Sequence, residues 1–179
     1  MSIDDDLKPA REAKAVWDIA LDAVLAGYNW SFAMGRDSLS ADVAAPAHTY
    51  ALQYQMPSDS LRLVYLADRY VGADLTDYRT APMPEFQIEG QKILTDIGAP
   101  LLIRYVKRIT DTGIMPPTFV SCFGARLAAL LCEALTQSST KRQDAEAEFR
   151  KSISIAIHAN AIEMPPEKLA DDEWILSRL

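Results

Sequence analysis

Between Pro9 and Ala26 the apolar residues Ala13, Val16, Trp17, Ala20, Leu21, Val24 and Leu25 recur at three-four spacing. That period is one stripe of an amphipathic helix. Pro9 suits its first turn, and Asp4, Asp5 and Asp6 place negative charge near its positive end. Gly27 is a natural stop. The period then changes. Trp30 and Phe32 lie two apart, as on one side of an extended segment, and 42–47 reads as a loop ending in Pro46 and Ala47. Tyr50, Leu52, Tyr54 and Met56 alternate with polar or small residues, which predicts a strand with one buried face. After the turn residues Pro57-Ser58-Asp59, Leu61, Leu63 and Tyr65 alternate again. Residues 72–84 read as a loop. Phe86, Ile88, Ile93 and Leu94 flank Glu89-Gly90, a hairpin turn in which Gly supplies positive φ. Leu101, Ile103 and Tyr105 form one face of a last strand.

Helical spacing returns after Pro116-Pro117. Phe119, Phe123, Leu127, Leu130, Leu131 and Leu135 fall on one face, and Ala125, Ala128, Ala129 and Ala134 permit close helix contact. Ser138-Ser139 breaks the pattern, and Thr140 with Gln143 has capping-box spacing. A further helix runs to about Ile162 with Ala145, Phe149, Ile153, Ala156 and Ile157 inward. So short a connection predicts an antiparallel pair. The expected fold class is α+β: a helical bundle with an antiparallel β-domain inserted between the first and second long helices, plus an extended C-terminal tail. One domain spans 1–179, made of a helix (1–27), the β-region (28–114), a helical hairpin (115–164) and the tail (165–179).

Composition narrows the functional classes. The chain has 179 residues, 49% hydrophobic and 24% charged, with net charge -7. An acidic surface lacks the basic footprint that phosphate binding needs, although DNA could slide past it without sticking. The acidic start Met1-Ser2-Ile3-Asp4-Asp5-Asp6 has no apolar stretch of a secretory signal, and no run reaches the roughly 18 apolar residues of a spanning helix. A protein made and kept in the cytosol is expected. Cys122 and Cys132 fall on one helix, about 15 Å apart at about 1.5 Å rise per residue, which is beyond disulfide reach.

Chemistry-bearing patterns are sparse. His48 and His158 stand far apart with no Cys-x-x-Cys near them, so no metal site is expected. No Gly-rich phosphate loop and no Gly-x-Ser-x-Gly elbow occur. Glu146 with Glu148, or Asp171 to Glu173, would serve acid-base chemistry only if one carboxyl were buried in a cleft. The expectation is a protein that is not an enzyme and takes no cofactor. The anomaly is the end of the chain: Trp174, Ile175, Leu176 and Leu179 are apolar with no helical partner in the sequence, so they are expected to dock on another surface. Arg104, Lys107 and Arg108, beside Arg62 and Arg69, are candidates to meet an acidic neighbour.

The order of these pieces is similar to one known family. A helix precedes Trp30-Ser31-Phe32-Ala33; an aromatic strand leads through Tyr54-Gln55-Met56-Pro57-Ser58-Asp59-Ser60-Leu61-Arg62. Next come the Glu89-Gly90 hairpin running to Thr95-Asp96, the strand Leu102-Ile103-Arg104-Tyr105, and the Ala- and Leu-rich helix opened by Pro117-Thr118-Phe119. Over residues 16–160 this resembles the tail tubular protein A-like phage head-to-tail adaptor (connector) family. Met56 stands where that pattern has Leu, and 67–84 does not align with it.

The resemblance implies a structural virion protein of the neck or tail, assembled in the host cytoplasm. It implies a dodecameric ring of copies of the chain that binds the portal protein, presents a platform to a downstream tail or nozzle protein, and lets DNA pass through the lumen without sequence-specific binding or a membrane step. Trp174, Ile175, Leu176, Leu179, Arg104, Lys107 and Arg108 are the expected contacts to the portal or a neighbouring subunit. Two rival readings are an adaptor with peptidoglycan-hydrolase activity, which needs a carboxylic acid of raised pKa in a sugar-sized cleft, and a stand-alone cytosolic binding module.

Overall fold

The structure is a computed structural model, which describes residues 6–66 and 86–163. Its described residues divide into two compact units, one built from 6–34 with 107–163 and the other from 35–66 with 86–106.

The first unit is helical. Helix α1 spans Lys8–Ala26, with Pro9 in its first turn, and buries Ala20, Leu21, Val24 and Leu25 from its stripe. The chain then makes a short 3-10 turn, Ser31–Ala33, rather than the extended segment expected there. The turn lets Trp30 and Phe32 both reach Phe119, at ring-centroid distances of 5.0 and 4.9 Å, edge to face. Such pairs are favoured by the ring quadrupole. Trp30 is fully buried, and its indole Nε1–H donates to the Val24 carbonyl at 2.9 Å. A buried indole without that acceptor would carry the full cost of its lost water.

Helix α2 spans Pro117–Thr136 and closes on Gln137 in the left-handed region, whose N–H donates to the Glu133 carbonyl. Helix α3 spans Ser139–Glu163. Ser138, not Thr140, caps it: the Ser138 hydroxyl accepts from the Lys141 N–H at 3.4 Å. The two helices run antiparallel, as Arg126 over the Phe149 ring (5.3 Å) and Arg142 on Glu133 (2.9 Å) show from opposite ends of the register. The far end of α3 is tied back to the segment after α1. The buried Asn160 side chain accepts from the Ser31 N–H at 2.6 Å and donates to the Asn29 carbonyl at 2.9 Å. The Ser31 hydroxyl also donates to Glu163 at 2.6 Å.

The second unit holds the strands β1 (Met34–Leu39), β2 (Leu52–Gln55), β3 (Ser60–Leu66), β4 (Phe86–Glu89), β5 (Lys92–Thr95) and β6 (Leu101–Lys107). They form two three-stranded sheets, ordered β1-β6-β3 and β2-β5-β4. The β4–β5 hairpin pairs Phe86 with Thr95 and Glu89 with Lys92 around Gly90, which sits at φ 60°. Tyr54, Leu63, Leu66, Ile93, Leu101, Ile103 and Tyr105 make the shared core. Two tyrosines pass through it to polar ends. Tyr54 donates to the Ile97 carbonyl at 2.7 Å, and Tyr105 donates to Asp59 at 3.2 Å. Burial, and then the Asp59 charge, push the Tyr105 hydroxyl above its ordinary pKa. Gly35 is required beneath that ring, because a Cβ there would stand 2.8 Å from it.

The architecture expected from the sequence is corrected by this arrangement. In place of a bundle carrying one antiparallel β-domain there are, among the described residues, three α-helices and two three-stranded antiparallel sheets. One of those sheets begins at β1, a strand that was not anticipated. Its sequence, Met34-Gly35-Arg36-Asp37-Ser38-Leu39, has no apolar alternation. It exists because β6, more than 60 residues later, offers it a ladder, and non-local pairing leaves no local period to read. The expected loop at 72–84 and the extended tail at 165–179 lie outside the described residues.

Asn160→Ala leaves the buried Ser31 N–H and the Asn29 carbonyl without their partners. A loss of about 2 kcal/mol is expected, at about 1–3 kcal/mol for each buried group left unsatisfied. This should lower the thermal midpoint by about 4–8 °C, read by calorimetry, while Asn160→Asp, which keeps the acceptor, falls less.

Candidate functional site

Helix α2 is apolar over nearly its whole length, yet only Phe119, Cys122, Phe123 and Ala129 are buried. The first three face α1 and the turn after it: Phe123 meets Trp17 edge to face at 4.8 Å. Further along, the apolar face leaves the core. Leu130 and Leu135, expected inward, are exposed, as is Val120. Across the hairpin, α3 buries only Ala156 and Asn160 and exposes Ile155 and Ile162. Ile19 on α1 is 71% exposed. Several large aliphatic side chains of the helical unit therefore meet water. By length and composition α2 is also apolar enough to cross a membrane, which the sequence expectation did not foresee. Only 22% of that apolar window is buried.

The basic residues singled out in the sequence have different surroundings. Arg108, just after β6, is held by two acids of helix α1, 2.8 Å from Asp22 and 3.4 Å from Asp18. The hydrogen bond to Asp22 binds its guanidinium still more firmly to its proton. The structure thus gives Arg108 partners inside its own chain. Lys107 is exposed at the end of β6. Arg104 is half-buried, donates to the Tyr65 hydroxyl at 3.3 Å, and lies 5.5 Å from that ring's centroid. It lines a pocket of about 370 Å³ on the β1-β6-β3 sheet with Arg36, Asp37, Ser38, Tyr65, Leu102 and Ile103. Trp174, Ile175, Leu176 and Leu179 lie outside the described residues.

A second cavity, about 290 Å³, is lined by residues 45–50 with Gln53, Gln87, Glu89 and Leu94. His48 and Thr49 border it, with the His48 Nδ1 2.8 Å from the Thr49 hydroxyl. Thr49 sits at φ 73°, a strained conformation for a β-branched residue. Among the described residues no three His, Cys, Asp or Glu side chains converge as metal ligands. His158 is exposed on α3, far along the chain from His48. Glu146 is drawn toward Arg142 at 3.8 Å, on a helix face rather than in a cleft. The arrangement offers contact surfaces: exposed aliphatic side chains on the helices, and a sheet pocket that combines arginine and apolar walls.

The pocket was not legible in the sequence, because β1 carries half of it and has no periodic signature. No family model matches the chain, and no curated protein is significantly similar to it.

The two cysteines differ in reach. Cys122 is fully buried, which pushes its thiol up to about 11, whereas Cys132 is half-buried beside Thr136. A thiolate is the reacting species. One equivalent of thiol should therefore be alkylated in the folded chain near neutral pH, at Cys132, and the second only with unfolding. Peptide mass mapping of the alkylated protein checks this.

Proposed function

We propose that the chain is a structural virion protein that assembles with copies of itself into a ring beneath a phage portal, joining the head to the tail and continuing the DNA channel. On this reading it catalyses no reaction. The observation that carries it is the set of exposed aliphatic side chains on the α2–α3 hairpin. Val120, Leu130, Leu135, Ile155 and Ile162 are exposed on helices that also contribute residues to the core. Exposed apolar side chains of this number are costly in water and become favourable when covered, at about 25 cal/mol per Å². The net charge of -7 suits a wall past which a polyanion must slide. The order of sequence pieces that resembles the tail tubular protein A-like adaptors points the same way.

A ring needs heterologous contacts, in which one patch of each copy meets a different patch of the next. Side-by-side helical hairpins provide such a pair of flanks. The portal above and a tail or nozzle protein below complete the partners, and the site of action is the neck of the virion.

The purified chain is expected to be monomeric by light scattering and to form a ring only when portal protein is added, read by negative-stain microscopy. Leu130→Asp with Ile155→Asp should abolish the ring and leave the thermal midpoint within about 2 °C, because exposed positions contribute little to stability. A ring that persists in the double variant would overturn the proposal, as would a chain that never assembles on any portal and is absent from virions by mass spectrometry.

A further inference from the structure

The pocket on the β1-β6-β3 sheet stands apart in chemistry from the helical face. Leu102 is 41% exposed within it. Arg36 is exposed on β1, and Arg104 lies over Tyr65. Among the described lining residues two guanidinium groups stand beside one carboxylate, Asp37, on a chain whose net charge is -7. Its volume of about 370 Å³ falls within the range of small-ligand clefts, about 300–1,000 Å³. An anionic partner with an aromatic or aliphatic anchor fits such a site. Arginine forks favour carboxylates, and a partly dry wall strengthens them.

The chain itself contains that chemistry. Sixteen residues, 164–179, follow the described part of the structure. In them Asp171-Asp172-Glu173 runs directly into Trp174-Ile175-Leu176. Three acids next to an indole and two aliphatic side chains match a pocket with two guanidinium groups and an apolar wall. A terminal segment and a sheet pocket are also two different surfaces on one chain, the combination that a closed ring of heterologous contacts requires.

We propose that the sheet pocket of one copy receives the C-terminal segment of the neighbouring copy. Trp174 enters over Leu102, and the acids before it face Arg36 and Arg104. The contact rests on the ring reading, and adds to the helical flanks a second, electrostatically keyed link between adjacent subunits.

The probe is a synthetic peptide of residues 164–179 carrying 5-fluorotryptophan at position 174. It is titrated into the full-length chain at a dilution where light scattering reads a monomer. The fluorine resonance is expected to move on saturation. Leu102→Asp and Arg36→Glu should each weaken binding by about tenfold or more with an unchanged thermal midpoint. Against the Arg36→Glu chain, a peptide with Asp172→Lys and Glu173→Lys should regain most of the loss. Two results overturn the proposal: no binding to either the wild-type chain or its Trp174→Ala variant, or binding to the Trp174→Ala variant alone, which would mean that each chain's own segment fills its own pocket. Ring formation on the portal is read separately by microscopy. Peptide binding without a ring ends the ring reading and leaves the pocket-segment contact standing.

Discussion

The carboxamide of Asn160 joins two parts of the chain that lie 129 to 131 residues apart, and much of the helical unit follows from it. A buried amide must find both an acceptor and a donor, or the fold carries an unpaired polar group at a cost of about 1–3 kcal/mol each. Here it finds them on the backbone of the turn after α1. That requirement ties the C-terminal end of α3 to the segment after α1. It also makes the 3-10 turn at Ser31–Ala33 a structural element rather than a connector. The turn in turn aims Trp30 and Phe32 at Phe119, so one polar clamp and one aromatic cluster hold the same corner. Truncating an aromatic residue in such a core costs about 3–5 kcal/mol.

Once that corner is closed, α2 is committed unevenly. Three of its four buried residues, Phe119, Cys122 and Phe123, lie in its first half, and among the described elements it packs on both α1 and α3. Leu130 shares the stripe of Phe119 and Phe123 but is exposed, and Leu135, also exposed, lies well round the helix from them. The sheet unit has a different economy. Its core is closed by its own strands, with Tyr54 and Tyr105 carrying hydroxyls out to fixed acceptors. Gly35 lies under the Tyr105 ring because nothing larger fits. Its surface feature is a pocket whose apolar wall is edged by Arg36, Asp37 and Arg104.

Several side chains that look interactive in the sequence are used internally. Arg108 neutralises Asp22 and Asp18 of α1. Arg126 covers Phe149, and Arg142 bridges Glu133 and Glu146 across the hairpin. Exposed ion pairs of this kind are worth little individually, about 0–1 kcal/mol. On the sheet, Arg36 and Arg104 line the pocket beside Leu102 and Ile103.

The periods of three-four and two determined the helices α1, α2 and α3, the alternating strands at Leu52–Gln55 and Leu101–Lys107, and the hairpin at Glu89-Gly90. Those elements are written locally, because a residue's neighbours at i+2, i+3 and i+4 decide which face it shares. The inward faces of Ala156, Phe123 and Ile103 were legible for the same reason. The tertiary structure alone decided that the strands split into two sheets, that Met34–Leu39 becomes a strand, and that Trp30 and Phe32 curl into a turn. It also decided where the apolar stripe of α2 stops being core and which arginines stay on the surface. Each of these depends on a partner scores of residues away, and a ladder, a buried amide or an ion pair formed across that distance leaves no spacing in the sequence to announce it.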